Sequence, residues 1–210
     1  AWCGARPVDY LMDNFEVDES WSLIHATHMS AAETSRLAGS GAVAGICPTT
    51  EGNLGDGFFN ATNYLQLGGK MGIGSDSHIS ISPVEELRWF EYGQRLQHHS
   101  RNQLAGGPQR STGRTLFDLA TAGGAQACGH DSGVIEVGKR ADFVVLDTSS
   151  PLLCERAGDE LLDSWIFSGN DNSVREVYVG GERVIEDGHH VRETEIQHKF
   201  QSALKDLRAS

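Results

Sequence analysis

The sequence predicts an α/β fold, in which short parallel strands are covered by helices. Three short apolar runs, each linked to the next by a helical pattern, are the basis for this prediction: residues 21–26, 42–47 and 70–74. None of the runs shows the polar alternation of a half-exposed strand, which indicates that each is buried on both faces. The pattern fits either a barrel or a doubly wound sheet.

Apolar spacing and capping residues predict the helices of this first part. Residues 7–14 form a helix with Pro7 in its first turn. Ser30 caps a helix over residues 31–37, with Glu33 as the acid of a capping box. The remaining predicted elements are a polar loop over residues 51–57, a helical turn over residues 63–67, a long helix over residues 84–97, and an Ala-rich helix over residues 115–128 that is interrupted at Gly123-Gly124.

After residue 130 the pattern is typical of a small β-rich unit, and the pair Gly180-Gly181 predicts a hairpin. The predicted elements are a turn and a strand over residues 134–147, a short helix over 161–167, a hairpin over 174–185 and a helix over 193–209. The predicted domains are an α/β unit over residues 1–129, part of a small β-domain over residues 130–190 and a C-terminal helix over residues 191–210.

Composition and charge restrict the classes of function. The formal net charge of −12 at pH 7 argues against nucleic acid and anionic membranes as partners. No apolar run approaches the roughly 18 residues of a membrane span, and the first residues do not have the pattern of a signal peptide. Scattered cysteines without a C-x-x-C pair predict a reduced, cytoplasmic protein. They are Cys3, Cys47, Cys128 and Cys154.

His25 and Asp76 are the candidate catalytic residues. Each lies at the end of a predicted parallel strand, and the carboxyl ends of such strands converge on one mouth. An imidazole and a carboxylate together suit metal-assisted hydrolysis, in which a divalent ion lowers the pKa of a bound water and the carboxylate accepts its proton. The residues by themselves also allow Asp76 to be a turn or cap residue and His25 to be a structural histidine.

Neighbouring polar residues have structural interpretations. If the strand continued past His25, His28 would lie on the opposite face, because residues an odd number apart alternate, so His28 is predicted to be a loop or cap residue. His78 can contact a substrate or have a structural role. Glu85 and Glu86 lie in the first turn of a helix, where acids suit the dipole. Cys47 ends a strand without an obvious base, so no nucleophilic role is predicted.

The ends of all three predicted strands resemble those of the amidohydrolase superfamily. The segments are Leu23-Ile24-His25-Ala26-Thr27-His28, then Cys47-Pro48-Thr49-Thr50 with Asn53-Leu54-Gly55-Asp56-Gly57, and Gly74-Ser75-Asp76-Ser77-His78; they resemble the sixth, seventh and eighth strand ends. Residues 133–147 and 177–181 resemble the small composite β-domain of that superfamily. Within it, residues 75–96, residues 25–28 and the opening residues 2–8 resemble the formiminoglutamate deiminases.

The resemblance implies the last three βα units of a TIM-type (β/α)8 barrel, with part of a small β-domain. It implies hydrolysis of a small molecule, N-formimino-L-glutamate, to N-formyl-L-glutamate and ammonia in histidine degradation, with one zinc ion. Asp76 matches the aspartate that ligates zinc and takes a proton from the attacking water. His25 matches the histidine that hydrogen-bonds this water or the substrate. A homodimer is one option for the assembly.

Several parts of the family's zinc site have no counterpart in the sequence: the first-strand His-x-His, the fifth-strand histidine and the acid–base glutamate after it. The chain also opens on Ala1 rather than methionine. We therefore expect a fragment of a longer protein that is inactive by itself, since catalytic zinc sites have three protein ligands or more.

Two alternative functions stay open. One is a deaminase of the superfamily acting on guanine, cytosine-like or chlorotriazine rings, and the other is a non-catalytic interaction module that lost the metal site.

Overall fold

The computed structural model describes residues 4–107 and 111–209 of the chain. In this part the chain forms two sheets, a parallel one of three strands followed by an antiparallel one of four strands. The parallel sheet predicted for the first part is thereby confirmed. The motif residues Trp2 and Cys3 lie outside the described residues.

Helices separate the three parallel strands, two of them in succession between the second strand and the third. The helices are α1 (Pro7–Asn14), α2 (Ala31–Ser40), α3 (Pro48–Leu54), α4 (Ala61–Gln66), α5 (Pro83–His98), α6 (Thr112–Ala127), α7 (Gly158–Phe167) and α8 (Glu193–Ala209). The strands are β1 (Ser22–Ile24), β2 (Val43–Ile46), β3 (Lys70–Ile73), β4 (Phe143–Leu146), β5 (Val174–Val179), β6 (Glu182–Glu186) and β7 (His189–His190).

In the parallel sheet, β2 lies between β1 and β3. Ser22 of β1 pairs with Val43, and Val43 pairs with Lys70 of β3, so the three strands begin level with one another. Their carboxyl ends consequently open at one edge of the sheet. The residues that follow the three strands are brought together at this edge.

The main core lies between the parallel sheet and its helices. Its buried residues are Leu37, Ala38, Ala42, Ala44, Ile46, Phe59, Ala61, Tyr64, Met71, Leu87, Phe90, Leu104, Leu116 and Ile166. Ile166 belongs to α7, so the segment assigned to the small β-domain also contributes a helix to this core. The domain boundaries at residues 129 and 190 stay a prediction.

Two expectations about local structure are wrong. Residues 51–57 do not form one polar loop, because the helix α3 extends through Leu54. Pro48 stands at the start of this helix, and Gly55, with φ 73°, ends it in the left-handed conformation. The helix α6 is also continuous through Gly123-Gly124 instead of being interrupted there.

The glycines of α6 are explained by its contact with β3. A Cβ atom at Gly123 would lie 1.8 Å from the carbonyl oxygen of Met71. A Cβ atom at Gly72 of β3 would lie 3.4 Å from the Cα atom of Gly124. The backbone of the helix therefore rests directly on the backbone of the strand. A glycine in a helix interior is less stable than an alanine by about 1 kcal/mol, and this close packing of helix and strand offsets that cost.

A buried carboxylate joins α1 to α2. Glu33 is 1% exposed and forms the predicted capping box with Ser30, which is thereby confirmed. The same carboxylate accepts hydrogen bonds from the backbone N–H of Val8 at 3.2 Å and from Nε of Arg6 at 2.5 Å. Burial alone would raise the pKa of Glu33, but hydrogen bonds from the N–H of Ser30, from Arg6 and from the N–H of Asp9 outweigh it and lower the pKa to about 2.

The antiparallel sheet has the strand order β4-β5-β6-β7. The predicted hairpin is confirmed: β5 and β6 pair around Gly180 and Gly181, both with positive φ. The N–H of Gly180 donates to the carboxylate of Asp142 at 2.7 Å, which ties the turn to the segment before β4. The predicted terminal helix is confirmed as α8.

Within the part of the chain that the structure describes, no helix has the length and apolar character needed to cross a membrane.

The contact between α6 and β3 makes the two neighbouring glycines respond differently to substitution. We expect Gly123→Ala to destabilise the protein by about 1–3 kcal/mol, because the new methyl group would overlap the Met71 carbonyl. Gly124→Ala is the matched control, since its Cβ would have no atom within 4 Å, and it should be neutral or stabilising by up to about 1 kcal/mol. Urea unfolding followed by circular dichroism measures both effects. Equal effects would contradict the proposed contact.

The stability contributed by Glu33 should depend on pH. Its folded pKa of about 2 lies below the ordinary value of 4.5, so its contribution is present above pH 4.5 and is lost as the pH falls toward 2. We expect Glu33→Gln to destabilise the protein near neutral pH and this difference to shrink below pH 4.5. Denaturant midpoints at a series of pH values measure the difference. Glu160→Gln, at an exposed position of α7, is the control. A difference that stays constant across this range would rule out the linkage.

Candidate functional site at the ends of the parallel strands

His25 and Asp76, the two residues predicted to carry the chemistry, lie side by side. His25 follows β1 directly, and Asp76 lies in the loop after β3. The Nε2 atom of His25 is 3.7 Å from the Oδ2 atom of Asp76. The structure therefore brings together two side chains from different strand ends. Their catalytic roles stay predictions.

The backbone turns sharply at both strand ends. The φ angles of His25, Ala26 and Asp76 are 65°, 46° and 55°, a left-handed conformation that is uncommon for residues other than glycine. The N–H of His25 still donates to the carbonyl of Gly45 in β2 at 2.8 Å. The sheet thus holds the backbone of His25 in place, while the chain beyond it leaves the strand.

His28 does not continue the strand, because β1 ends at Ile24. It lies in a turn, as predicted, and its carbonyl accepts a hydrogen bond from the guanidinium of Arg6. The structure does not pair His28 with His25 as ligands of one site. For His78, which has φ 56°, the geometry assigns no role.

Glu51 is a third polar group at this edge, at a position that is not among the residues predicted from the sequence to carry chemistry. It lies in the first turn of α3 and is 4% exposed. Its Oε1 atom accepts a hydrogen bond from the N–H of Cys47 at 2.9 Å and lies 3.2 Å from Nδ1 of His25. The sequence feature that could have indicated this position is Pro48. Proline favours the first turn of a helix, and a helix that starts there places Glu51 in its first turn, beside the strand end.

The imidazole of His25 lies between two carboxylates of different character. Nδ1 faces Glu51, whose side chain is 5% exposed, and Nε2 faces Asp76, whose side chain is 46% exposed. Burial raises the pKa of Glu51, while the hydrogen bonds from Cys47 and His25 oppose this rise. Nδ1 thus contacts a buried carboxylate, and Nε2 faces a partly exposed carboxylate at the open edge of the sheet.

Thr50 fixes the loop that carries Asp76. This fully buried residue donates from Oγ1 to the carbonyl of Ser75 at 2.6 Å. The same hydroxyl accepts a hydrogen bond from the N–H of Ser77 at 3.1 Å. The backbone is therefore held on both sides of Asp76 by one side chain from the first turn of α3.

Glu86, which was predicted to interact favourably with the dipole of its helix, also links two helices. It is 1% exposed, and its carboxylate accepts hydrogen bonds from the N–H and Oγ1 of Thr49 at 2.9 and 2.6 Å. Burial raises the pKa of Glu86, and the hydrogen bonds from Thr49 oppose the rise. The first turn of α5 is thereby attached to the first turn of α3.

Cys47 has the properties of a structural residue. It is 5% exposed, and burial raises the pKa of its thiol to about 11. The thiol therefore stays protonated near neutral pH, in agreement with the prediction that it is not a nucleophile.

The described residues do not by themselves supply the ligands of a metal site. Within residues 4–107 and 111–209, no group of three or more His, Cys, Asp or Glu side chains could hold a metal ion. Asp76, the predicted metal ligand, has only His25 as a close neighbour of that kind among the contacts of its side chain described above. The donors at this edge can therefore contribute to a metal site but cannot complete one.

A model described as the amidohydrolase family matches residues 5–184. The chain belongs to the amidohydrolase family. Formimidoylglutamate deiminase from Pseudomonas aeruginosa is 52% identical to this amidohydrolase chain over 207 residues, which are 99% of the chain and 46% of that relative. These matches confirm the resemblance found at the strand ends, including the likeness to the formiminoglutamate (formimidoylglutamate) deiminases.

Solved structures show the same fold. An amidohydrolase from Brucella melitensis superposes with a TM-score of 0.91 at 49% identity, over 98% of this chain and 45% of that one. An adenosine deaminase from Xanthomonas campestris with bound zinc superposes with a TM-score of 0.84 at 22% identity, over 99% of this chain and 47% of that one. This amidohydrolase chain thus spans about half the length of the relatives that it matches.

Substitution of Thr50 tests how the Asp76 loop is held. Thr50→Val keeps the shape of the side chain but removes the hydroxyl that pairs with Ser75 and Ser77. Leaving these groups without a partner costs about 1–3 kcal/mol, so amide hydrogen exchange at Ser77 should accelerate by about tenfold or more. Thr50→Ser keeps the hydroxyl and should change the exchange rate much less. Equal rates in the two variants would contradict this role of Thr50.

Proposed function

We propose that this amidohydrolase chain is part of a zinc-dependent formimidoylglutamate deiminase. The reaction is hydrolysis of the formimino C–N bond of N-formimino-L-glutamate to N-formyl-L-glutamate and ammonia. The 52% identity to the Pseudomonas aeruginosa enzyme over 99% of the chain supports this substrate. The observation that carries the proposal is the 3.7 Å approach of His25 Nε2 to Asp76 Oδ2 at the carboxyl ends of parallel strands.

We further propose that β1, β2 and β3 are the last three strands of a TIM-type barrel, and that β4 to β7 are part of a small composite β-domain. The sequential, parallel order of the three strands supports the barrel. The superposition on the Brucella melitensis amidohydrolase, which covers 45% of that chain, supports it as well. The remaining strands of the barrel would lie in the part of the full-length protein that corresponds to the portion of the relatives not covered by this chain.

The residues present fit a zinc site that is shared with another part of the protein. The carboxylate of Asp76, with His25 beside it, can supply one ligand. The zinc bound to the adenosine deaminase of the same fold supports the choice of metal. When bound, zinc lowers the pKa of a water molecule toward neutrality and thereby makes it a nucleophile.

In this proposal Asp76 accepts a proton from the attacking water. The oxygen of that water bonds to the formimino carbon, and the bond from this carbon to the terminal nitrogen then breaks. The leaving nitrogen takes up the proton held by Asp76 and then the proton of the newly bound hydroxyl, as the formyl C=O forms. It departs as ammonia, so one water is consumed for each ammonia released. His25 Nε2 lies close enough to Asp76 to hydrogen-bond the water or the formimino group at the same position.

The cellular setting follows from this substrate. A cytoplasmic location and a place in histidine degradation are part of the proposal, supported by the scattered cysteines and by the named relative. The homodimer and the exclusion of nucleic acid as a partner stay predictions, the latter from the net charge of −12.

An ammonia-release assay tests the proposal. The full-length protein with zinc should release ammonia from N-formimino-L-glutamate, and Asp76→Asn should lower kcat by about 10²–10⁴-fold, because the proton acceptor is lost. Metal analysis after dialysis should find about one zinc per full-length chain and less in Asp76→Ala. Asp118→Asn, at a side chain on α6 that is 60% exposed, is the matched control and should retain activity.

The same assay separates the alternatives. Ammonia from guanine, a cytosine-like ring or an amino-substituted chlorotriazine, with none from N-formimino-L-glutamate, would replace the proposed substrate by a ring. No turnover of any of them by a zinc-loaded protein would favour the non-catalytic interaction module. One tightly held zinc ion in the 210-residue chain alone would contradict the shared site.

A further inference from the structure

We propose that Glu51 is a positioning residue that holds His25 in the tautomer with its proton on Nδ1. The inference starts from the contact of 3.2 Å between Oε1 of Glu51 and Nδ1 of His25. The N–H of Cys47 donates to the same Oε1 atom, so this oxygen acts as an acceptor and Nδ1 is the donor toward it. In the neutral ring Nε2 then carries a lone pair, and this is the nitrogen that lies 3.7 Å from Asp76.

The position of Glu51 is itself fixed by the fold. Its side chain is buried, and the N–H of Cys47 donates to the same Oε1 atom at 2.9 Å. Cys47 ends β2 and precedes α3, while His25 belongs to the end of β1. The carboxylate therefore connects two neighbouring strand ends through one oxygen atom. Movement of the His25 ring would leave this oxygen with one partner instead of two.

This geometry gives Glu51 an effect on turnover without contact with the substrate, and that part of the inference rests on the proposed function. Nε2 of His25 can accept a hydrogen bond from the attacking water or from the formimino N–H only if it is unprotonated and faces Asp76. A third group that orients a catalytic histidine is a recurrent arrangement in hydrolases. Loss of Glu51 should therefore lower kcat more than it changes KM.

The tautomer can be measured without substrate. In the zinc-loaded full-length protein labelled with [15N]histidine, the ring of His25 should show nitrogen shifts of the Nδ1-protonated form. His25→Asn assigns the signal. A ring that is predominantly protonated on Nε2 alone would overturn the inference, whether or not any variant folds. Because this readout needs no turnover, it stands apart from a failure of the proposed function.

Three variants then separate positioning from support of the fold. Glu51→Ala should remove the Nδ1-protonated signature and lower kcat by about 10–100-fold, with KM changed less and zinc content unchanged. Glu51→Gln should restore the signature and most of kcat, because contact with the Cys47 N–H keeps the amide oxygen toward Nδ1. Glu91→Gln is the matched control: this buried carboxylate on α5 accepts hydrogen bonds from the N–H groups of Gln103 and Leu104.

Each outcome decides the inference. It is supported if Glu51→Ala changes the His25 spectrum and kcat together, while Glu91→Gln alters stability and leaves the spectrum unchanged. The tautomer inference is overturned if Glu51→Ala leaves the His25 spectrum unchanged. The positioning role in turnover is overturned if the spectrum changes and kcat does not. The inference is also overturned if Glu91→Gln changes the His25 spectrum in the same way, since the effect would then be one of general stability.

Discussion

The direct contact between the backbones of α6 and β3 is the constraint on which the geometry of the site depends. Gly123 lies against the Met71 carbonyl, and Gly72 faces Gly124, so no side chain separates helix from strand. This contact sets the position of β3 relative to the helices behind the sheet. The loop after β3 begins at Gly74, whose N–H continues the ladder to Ile46. The distance between Asp76 and His25 therefore follows from packing on the far side of the sheet.

A second constraint is a set of buried carboxylates that hold backbone N–H groups. Glu33, Glu51, Glu86 and Glu91 are each no more than 4% exposed. Each accepts at least one hydrogen bond from the backbone of another segment: α1 for Glu33, the end of β2 for Glu51, α3 for Glu86 and the loop after α5 for Glu91. Since a buried acceptor without its donor is costly, these acids specify the arrangement of segments more narrowly than apolar contacts do.

The local sequence pattern was sufficient to predict the helices and strands and the proximity of His25 to Asp76. Apolar runs located the parallel strands, and the geometry of parallel strands then required their ends to converge. Local pattern failed where tertiary contacts decide. Helix propensity alone predicts an interruption at Gly123-Gly124, because it does not include the strand that lies against this helix. Local composition predicts a loop at Glu51 and no function, because its contact is with a histidine 26 positions away in the chain.

The left-handed backbone at His25, Ala26 and Asp76 has a consequence for how this protein can change. Such conformations cost on the order of 1–3 kcal/mol at a residue other than glycine, and surrounding hydrogen bonds must maintain them. A glycine at any of the three positions would relieve that strain. Selection for thermal stability alone would therefore favour glycine at His25 and Asp76, the two positions whose side chains are predicted to carry the chemistry. Improving the stability of this fold without loss of activity requires substitutions elsewhere, and their benefit is limited by the strain retained at the strand ends.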